Sequence, residues 1–200
     1  MKSTWLEFIL FNNFLWTLVQ RRFIVPLWAE SVKVSSDSLV LEVGCGRGIG
    51  STIIADEFKP GRIHAFDIDE LMVKKARERV SKDYPCVISV EVGDVRSIAA
   101  KDGSYEAVFD FFTLNHTSDW GMGLAEVSRV LKPGGCFAFA ELYSGAYEGN
   151  LRRNLFKSGA ADRFDRPKLM RALAENGLHL MERKHRLWGY GLIGVARKSE

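Results

Sequence analysis

The chain has 200 residues, enough for one domain with an ample core. Apolar residues make up 46% and charged residues 26%, ordinary for a globular protein and unlike disordered or fibrous chains. The net charge of +3 is unevenly spread: residues 151–200 hold 12 Lys/Arg against 5 Asp/Glu, and the rest of the chain is net acidic. That basic segment reads as a solvated face first, and as a contact for an acidic substrate, a phospholipid surface or nucleic acid second.

Residues 3–20 read as a helix. Asn13, Thr17 and Gln20 fall on one narrow stripe, and the rest is mostly Phe, Leu, Ile and Trp. Such a helix needs cover. It is expected to pack on the domain or roof its site, with peripheral membrane contact as the sharper alternative. The apolar run is too short and interrupted to span a bilayer. Lys2 ahead of it raises the thought of an export signal, but no A-x-A-like cleavage site follows. Arg21 and Arg22 close the helix and Pro26 breaks the chain.

From residue 39 strand and helix patterns alternate. Strands are expected at 39–43, 62–66, 86–92, 105–110, 136–141, 178–184 and 190–198. Helices follow Gly50, then run over 69–81, 119–131 and 167–176. Lys132-Pro-Gly-Gly135 ends the third of these and Gly177 the last. This alternation implies an α/β fold, a doubly wound seven-stranded sheet, mostly parallel with an antiparallel last strand. Ligands of such sheets bind beyond the strand carboxyl ends, so loops 44–50, 67–70, 93–97 and 110–116 should ring one crevice. A single domain accounts for 1–200: a helical cap (1–38), a core (39–141), a small lid (142–166), and a C-terminal helix with strands (167–200).

The densest signal is Leu39-Val-Leu-Glu-Val-Gly-Cys-Gly-Arg-Gly-Ile-Gly50, a strand running into a loop with glycine at every second position. Bare backbone there lets a ligand approach the amides at a helix start. The dinucleotide fingerprint G-x-G-x-x-G fails in both registers, because it would need glycine where Ile49 or Ser51 stands. The run fits E-x-G-x-G-x-G instead, with Glu42 two residues before Gly44.

That motif resembles motif I of the class I S-adenosylmethionine (SAM)-dependent methyltransferases, whose fold is Rossmann-like. The stretch Ser104-Tyr-Glu-Ala-Val-Phe through Ala125-Glu-Val-Ser-Arg-Val-Leu-Lys-Pro-Gly-Gly135 is similar to the small-molecule branch, the type 11 and quinone-ring methylating enzymes. The resemblance covers about 39–141.

It implies SAM as cofactor, with S-adenosylhomocysteine (SAH) as product. Glu42, Gly44, Cys45, Gly46 and Gly48 would cradle its amino-acid end. Asp67 would accept from the ribose diol, with Ile68 beside it and Asp69 as the next helix N-cap. Asp94 would accept from the adenine amino group while Val95 packs on the ring. Asp110 and Phe111 would line the place where cofactor and acceptor meet. Candidate bases are His116, Glu141 and Tyr143; His185 is expected at the surface.

No metal is expected. Cys45, Cys86 and Cys136 form no CxxC pair or Cys/His cluster, and reduced thiols suit a cytoplasmic protein. Cys45 reads as a small loop filler rather than a nucleophile. Asp110-Phe-Phe-Thr113 replaces the [ND]-P-P-[YF] of enzymes that methylate base or glutamine nitrogens. No nucleic-acid-binding module is recognisable. Tyr143, Tyr147, Arg152, Arg153, Phe156 and Lys157 in the lid segment, with the apolar first helix, point to a small aromatic or lipid-like acceptor. Three alternatives stand beside this reading: a non-catalytic SAM-binding partner subunit, a nicotinamide-dependent oxidoreductase, and a peripheral membrane enzyme acting on a lipid head group or quinone.

Overall fold

The computed structural model describes residues 14–84, 87–147, 163–181, 185–186 and 190–200. Expectations for residues 3–13, for Cys86 and for the lid residues Arg152, Arg153, Phe156 and Lys157 lie outside them.

Seven strands run in line in the order β3-β2-β1-β4-β5-β8-β6. They are β1 (Leu39–Val43), β2 (Arg62–Asp67), β3 (Ile88–Val92), β4 (Tyr105–Phe111), β5 (Leu131–Leu142), β6 (Leu178–Leu180) and β8 (Gly191–Lys198). The two-residue β7 (His185–Arg186) pairs with β8 off this line. β1 to β5 pair in parallel, whereas β8 runs antiparallel to β5 and to β6. The doubly wound, mostly parallel sheet with its antiparallel last strand is therefore present.

Each face of the sheet is covered by its own hydrophobic cluster. On one face α3 (Ile49–Phe58) and α4 (Glu70–Asp83) bring Ile53, Ile54, Val73, Ala76 and Val80 against Val40, Ala65 and Phe109. On the other, α5 (Trp120–Val130) and α6 (Arg166–Glu175) bring Leu124, Val127, Leu169 and Leu173 against Leu41, Val108 and Phe137. Parallel strands buried on both faces read as near-continuous apolar runs, which is why 39–43 and 105–109 carry so little polarity.

The N-terminal segment corrects the expected break. α1 (Phe14–Val19) passes through a π-helical turn at Gln20–Ile24 directly into α2 (Val25–Ala29). In that wide turn the Val25 N–H donates to the Gln20 carbonyl. Pro26 then falls in the first turn of α2, where its missing N–H costs nothing. Arg21 does not end the helix; it reaches Asp56 on α3, whose other oxygen accepts from Tyr84. Ile24, Val25 and Trp28 are buried in the first cluster, so the described part of this segment packs on the domain.

A second correction concerns Lys132–Gly135. Leu131 already pairs with Tyr105, and the register shifts before Ala107 meets Cys136. The Pro-Gly-Gly run is a bulge inside β5, not a loop before it. Its extra residues are absorbed by Gly134 at φ +71°.

Candidate functional site

β1 delivers the glycine loop to the carboxyl edge of the sheet. Gly44 has φ +63°, and a Cβ there would stand 2.2 Å from Thr113 Oγ1. Thr113 in turn donates to the Val43 carbonyl at 3.0 Å. The loop after β1 is thus pressed against the loop after β4, and only glycine fits between them. At Gly46, φ +53°, the position a Cβ would take is open space. No atom beyond its immediate chain neighbours lies within 4 Å of that position.

Glu42 lies buried beneath the first turn of α3. Ser51 donates its hydroxyl to Glu42 Oε2, and a Cβ on Gly50 would fall 2.0 Å from Oε1. Burial pushes this carboxyl up to about 8. Cys45 is buried beside it, and burial with the Glu42 charge holds the thiol far above its usual range. It is a filler with no thiolate to offer.

β2 ends in Asp67, whose two oxygens accept from Gly46 N–H at 2.8 Å and Asp69 N–H at 2.9 Å. Burial raises its pKa. Ile68 beside it is 54% exposed. Asp69 caps α4, accepting from Leu71 N–H at 2.8 Å and Met72 N–H at 3.4 Å. Past β3, Asp94 is gripped by Arg96. The guanidinium donates from Nε at 3.0 Å to Oδ1 and from Nη2 at 2.6 Å to Oδ2, and Arg96 N–H adds a 2.9 Å bond. This contact holds the Asp94 carboxyl below the usual carboxylate range. Val95 is buried in the second cluster with Leu114 and Trp120, against α5.

Beyond β4 the backbone bends through Phe112 at φ +67°, a left-handed conformation rare outside glycine. Its N–H stays on the sheet, donating to the Ala140 carbonyl at 2.9 Å. Phe111 packs on Trp28 at 4.7 Å between ring centroids. Asp110 is fully buried and accepts from Thr113 N–H at 2.7 Å. Glu141, at the matching end of β5, is equally buried and accepts from Leu114 N–H at 2.8 Å and Asn115 N–H at 3.2 Å. His116 is half-buried on the 3-10 turn Leu114–His116, and Tyr143 is buried just after β5. His185 lies in β7.

The carboxyl ends of β1, β2, β4 and β5 thus gather Glu42, the glycine loop, Asp67, Asp110 and Glu141, with Asp94 beyond β3. Four contributors escaped the sequence reading: Ser51, Arg96, Thr113 and Asn115. Arg96 was findable two residues after Asp94. Thr113 was not, because its role depends on a loop 70 residues away.

A sequence family described as a methyltransferase domain matches residues 40–135. Residues 40–135 carry a SAM-dependent methyltransferase domain. A probable SAM-dependent methyltransferase of Mycolicibacterium smegmatis is 37% identical over 98 residues, 49% of this chain and 35% of that protein. A fatty-acid O-methyltransferase of the same organism is 27% identical over 147 residues, 72% of this chain and 45% of that one. The chain spans between about a third and half of these relatives' lengths. Among solved structures, a chain from the complex between the Haloferax volcanii Trm112 methyltransferase activator and a methyltransferase superposes with a TM-score of 0.80. It covers all of both chains at 18% identity.

The cofactor of this methyltransferase domain is SAM, and the crevice suits it. The open position over Gly46 lies beside Asp67, whose carboxylate is fixed by two amides and keeps lone pairs for further donors. Among the described residues no helix is long and apolar enough to cross a membrane.

Proposed function

We propose that the chain transfers the methyl group of SAM to a small apolar or aromatic acceptor by direct in-line displacement. The observation that carries this is the glycine loop, open at Gly46 and flanked by Asp67 and the exposed Ile68. In this reading Gly44–Gly48 with Glu42 take the amino-acid end of the cofactor. Asp67 takes the ribose hydroxyls, Ile68 and Val95 flank the adenine, and Asp94 takes its amino group. Because Arg96 already engages both Asp94 oxygens, the adenine amino group has to share that carboxylate with a guanidinium.

The sulfonium supplies a methyl electrophile, so the protein's task is alignment. Positioning of this kind is worth up to about 7–11 kcal/mol in the best cases. A lone pair on the acceptor forms the new bond to carbon as the C–S bond breaks, and any acceptor proton must leave. His116 is the favoured base, being half-buried directly after β4. Both Glu141 oxygens accept backbone amides, and Glu141 and Tyr143 show almost no surface. An apolar acceptor is supported by the fatty-acid substrate in the name of one relative.

Mass spectrometry of the purified chain for co-purified ligand, followed by SAM turnover against extracts fractionated by polarity, tests this. Labelled methyl is expected in the apolar fraction. Label confined to the polar fraction would refute the acceptor class.

The full-length likeness to a chain solved in complex with a methyltransferase activator favours one second reading, that turnover needs a small partner protein. The pure chain would then bind SAH yet turn over only with a co-purified second polypeptide. Full activity of the pure chain would exclude it.

A further inference from the structure

Two carboxyl groups meet at the ends of β4 and β5, within hydrogen-bond reach of each other and closed off from solvent. Glu42 is the titratable group that acts on Asp110 from β1, and Asp67 acts on Glu42 from β2. On the loop and after β5, His116 and Tyr143 are the nearest titratable residues in sequence. Among the described residues, the groups that act most strongly on the pair include no cation. Two charged carboxylates in direct contact inside a protein are untenable, so one proton has to lie between them.

The hydrogen-bond pattern says where. Each Glu141 oxygen accepts a backbone N–H, from Leu114 and from Asn115. Asp110 Oδ1 accepts Thr113 N–H, whereas Asp110 Oδ2 is buried without a hydrogen-bond partner, the nearby Thr113 hydroxyl being given to the Val43 carbonyl. An oxygen with no incoming donor is the one free to carry a hydrogen, and Glu141 retains lone pairs to accept it.

We propose that Asp110 and Glu141 act as one positioning unit, a neutral acid at Asp110 donating to a carboxylate at Glu141, which fixes the turn from Thr113 to Asn115. Both side chains are fully buried, so the unit works from beneath the site rather than lining it. It acts through three successive amides, and through Thr113 it sets the contact with Gly44 that shapes the glycine loop. Burial pushes both carboxyls up, which keeps one proton on the pair at neutral pH; the two amides already given to Glu141 assign it to Asp110.

This assignment predicts an asymmetry between two isosteric changes. Asn at position 110 keeps the Oδ1 acceptor for Thr113 and offers an N–H where the acid offered O–H. Gln at position 141 must turn an NH₂ group against the Leu114 or Asn115 N–H. Asp110→Asn is therefore expected to melt near wild type and bind SAH within about threefold. Glu141→Gln is expected to melt lower and to bind SAH at least about tenfold more weakly, as loss of a charge-assisted hydrogen bond implies.

The ligand readout rests on the methyltransferase reading; the melting and infrared readouts do not. Wild type that binds no SAH would fault that reading and leave the melting comparison valid. The infrared difference between wild type and Asp110→Asn at pH 7 is expected to show loss of a protonated carboxylic-acid carbonyl band. It serves even if Glu141→Gln fails to fold. A difference spectrum without that band, equal tolerance of both changes, or the reverse asymmetry would overturn the proposal.

Discussion

On the β2–β3 side of the crevice, apart from the Gly46–Asp67 bond, acidic side chains are tied to backbone two residues away: Asp67 to Asp69, Asp69 to Leu71, Asp94 to Arg96. On the β4–β5 side, apart from the Thr113–Asp110 bond, the ties are long. Glu141 holds amides 26 and 27 residues back, and Thr113 reaches Val43 across 70 residues. The first side can form its turns as soon as each strand ends, because Asx-type contacts are local. The second exists only when β1, β4 and β5 are assembled. Substitutions on the two sides should therefore fail differently, and four of them test that contrast.

The largest effect is expected at Trp28. It is fully buried and packs on Phe109 and Phe111, so it braces β4 from a segment more than 80 residues earlier. Trp28→Ala should cost about 3–5 kcal/mol of stability. Denaturant titration reads it, and a loss below about 1 kcal/mol would show that the long-range side is not braced from there.

Next comes Glu42, through pH. Its folded pKa of about 8 stands above the ordinary 4.5, so the folded chain holds a proton that the unfolded chain releases. Stability must fall as pH rises from 4.5 and level off above 8. At about 1.4 kcal/mol per unit, roughly 3 kcal/mol is lost by pH 7. Glu42→Gln should flatten the decline of Tm between pH 5 and 8. An unchanged slope would place the linkage elsewhere, with the Asp110–Glu141 pair as the first suspect.

Gly44→Ala joins the two sides in one experiment. The left-handed backbone alone costs about 1–2 kcal/mol, and the new Cβ overlaps Thr113. SAH affinity should drop along with Tm, and Thr113→Ala in the same chain should restore part of both. Absence of any rescue would mean that the Gly44–Thr113 contact does not set the loop.

The smallest effect belongs to Arg96. Its contact with Asp94 is part-exposed and local, so Arg96→Ala should leave Tm almost unchanged. SAH affinity, read by calorimetry, should change severalfold as Asp94 is freed for a new donor. A large loss of stability would contradict the local character of that side.

The same contrast explains what could be read before the structure. The β1 strand, the glycine loop, the Asp69 cap and the alternation of strand and helix are written in runs of a dozen residues or fewer. The π-helical passage through Gln20–Ile24 was hidden, because Pro26 in the first turn of a new helix looks like a break in an old one. The bulge at Lys132–Gly135 was hidden too. Pro and Gly mark a loop and a bulge alike, and only pairing of Leu131 with Tyr105 separates them. Asp110 and Glu141 were legible as residues beside the crevice. Their contact was not, since it needs the parallel register that lays Asp110 against Phe139 and Phe111 against Ala140.

Calorimetric titration of the purified chain with SAM and with SAH, repeated on Asp67→Ala, tests most directly that the loops beyond β1 and β2 hold this cofactor. Saturable heat with both compounds, abolished or strongly weakened in the variant, is the predicted result. No heat with either compound, or binding indifferent to Asp67, would contradict it.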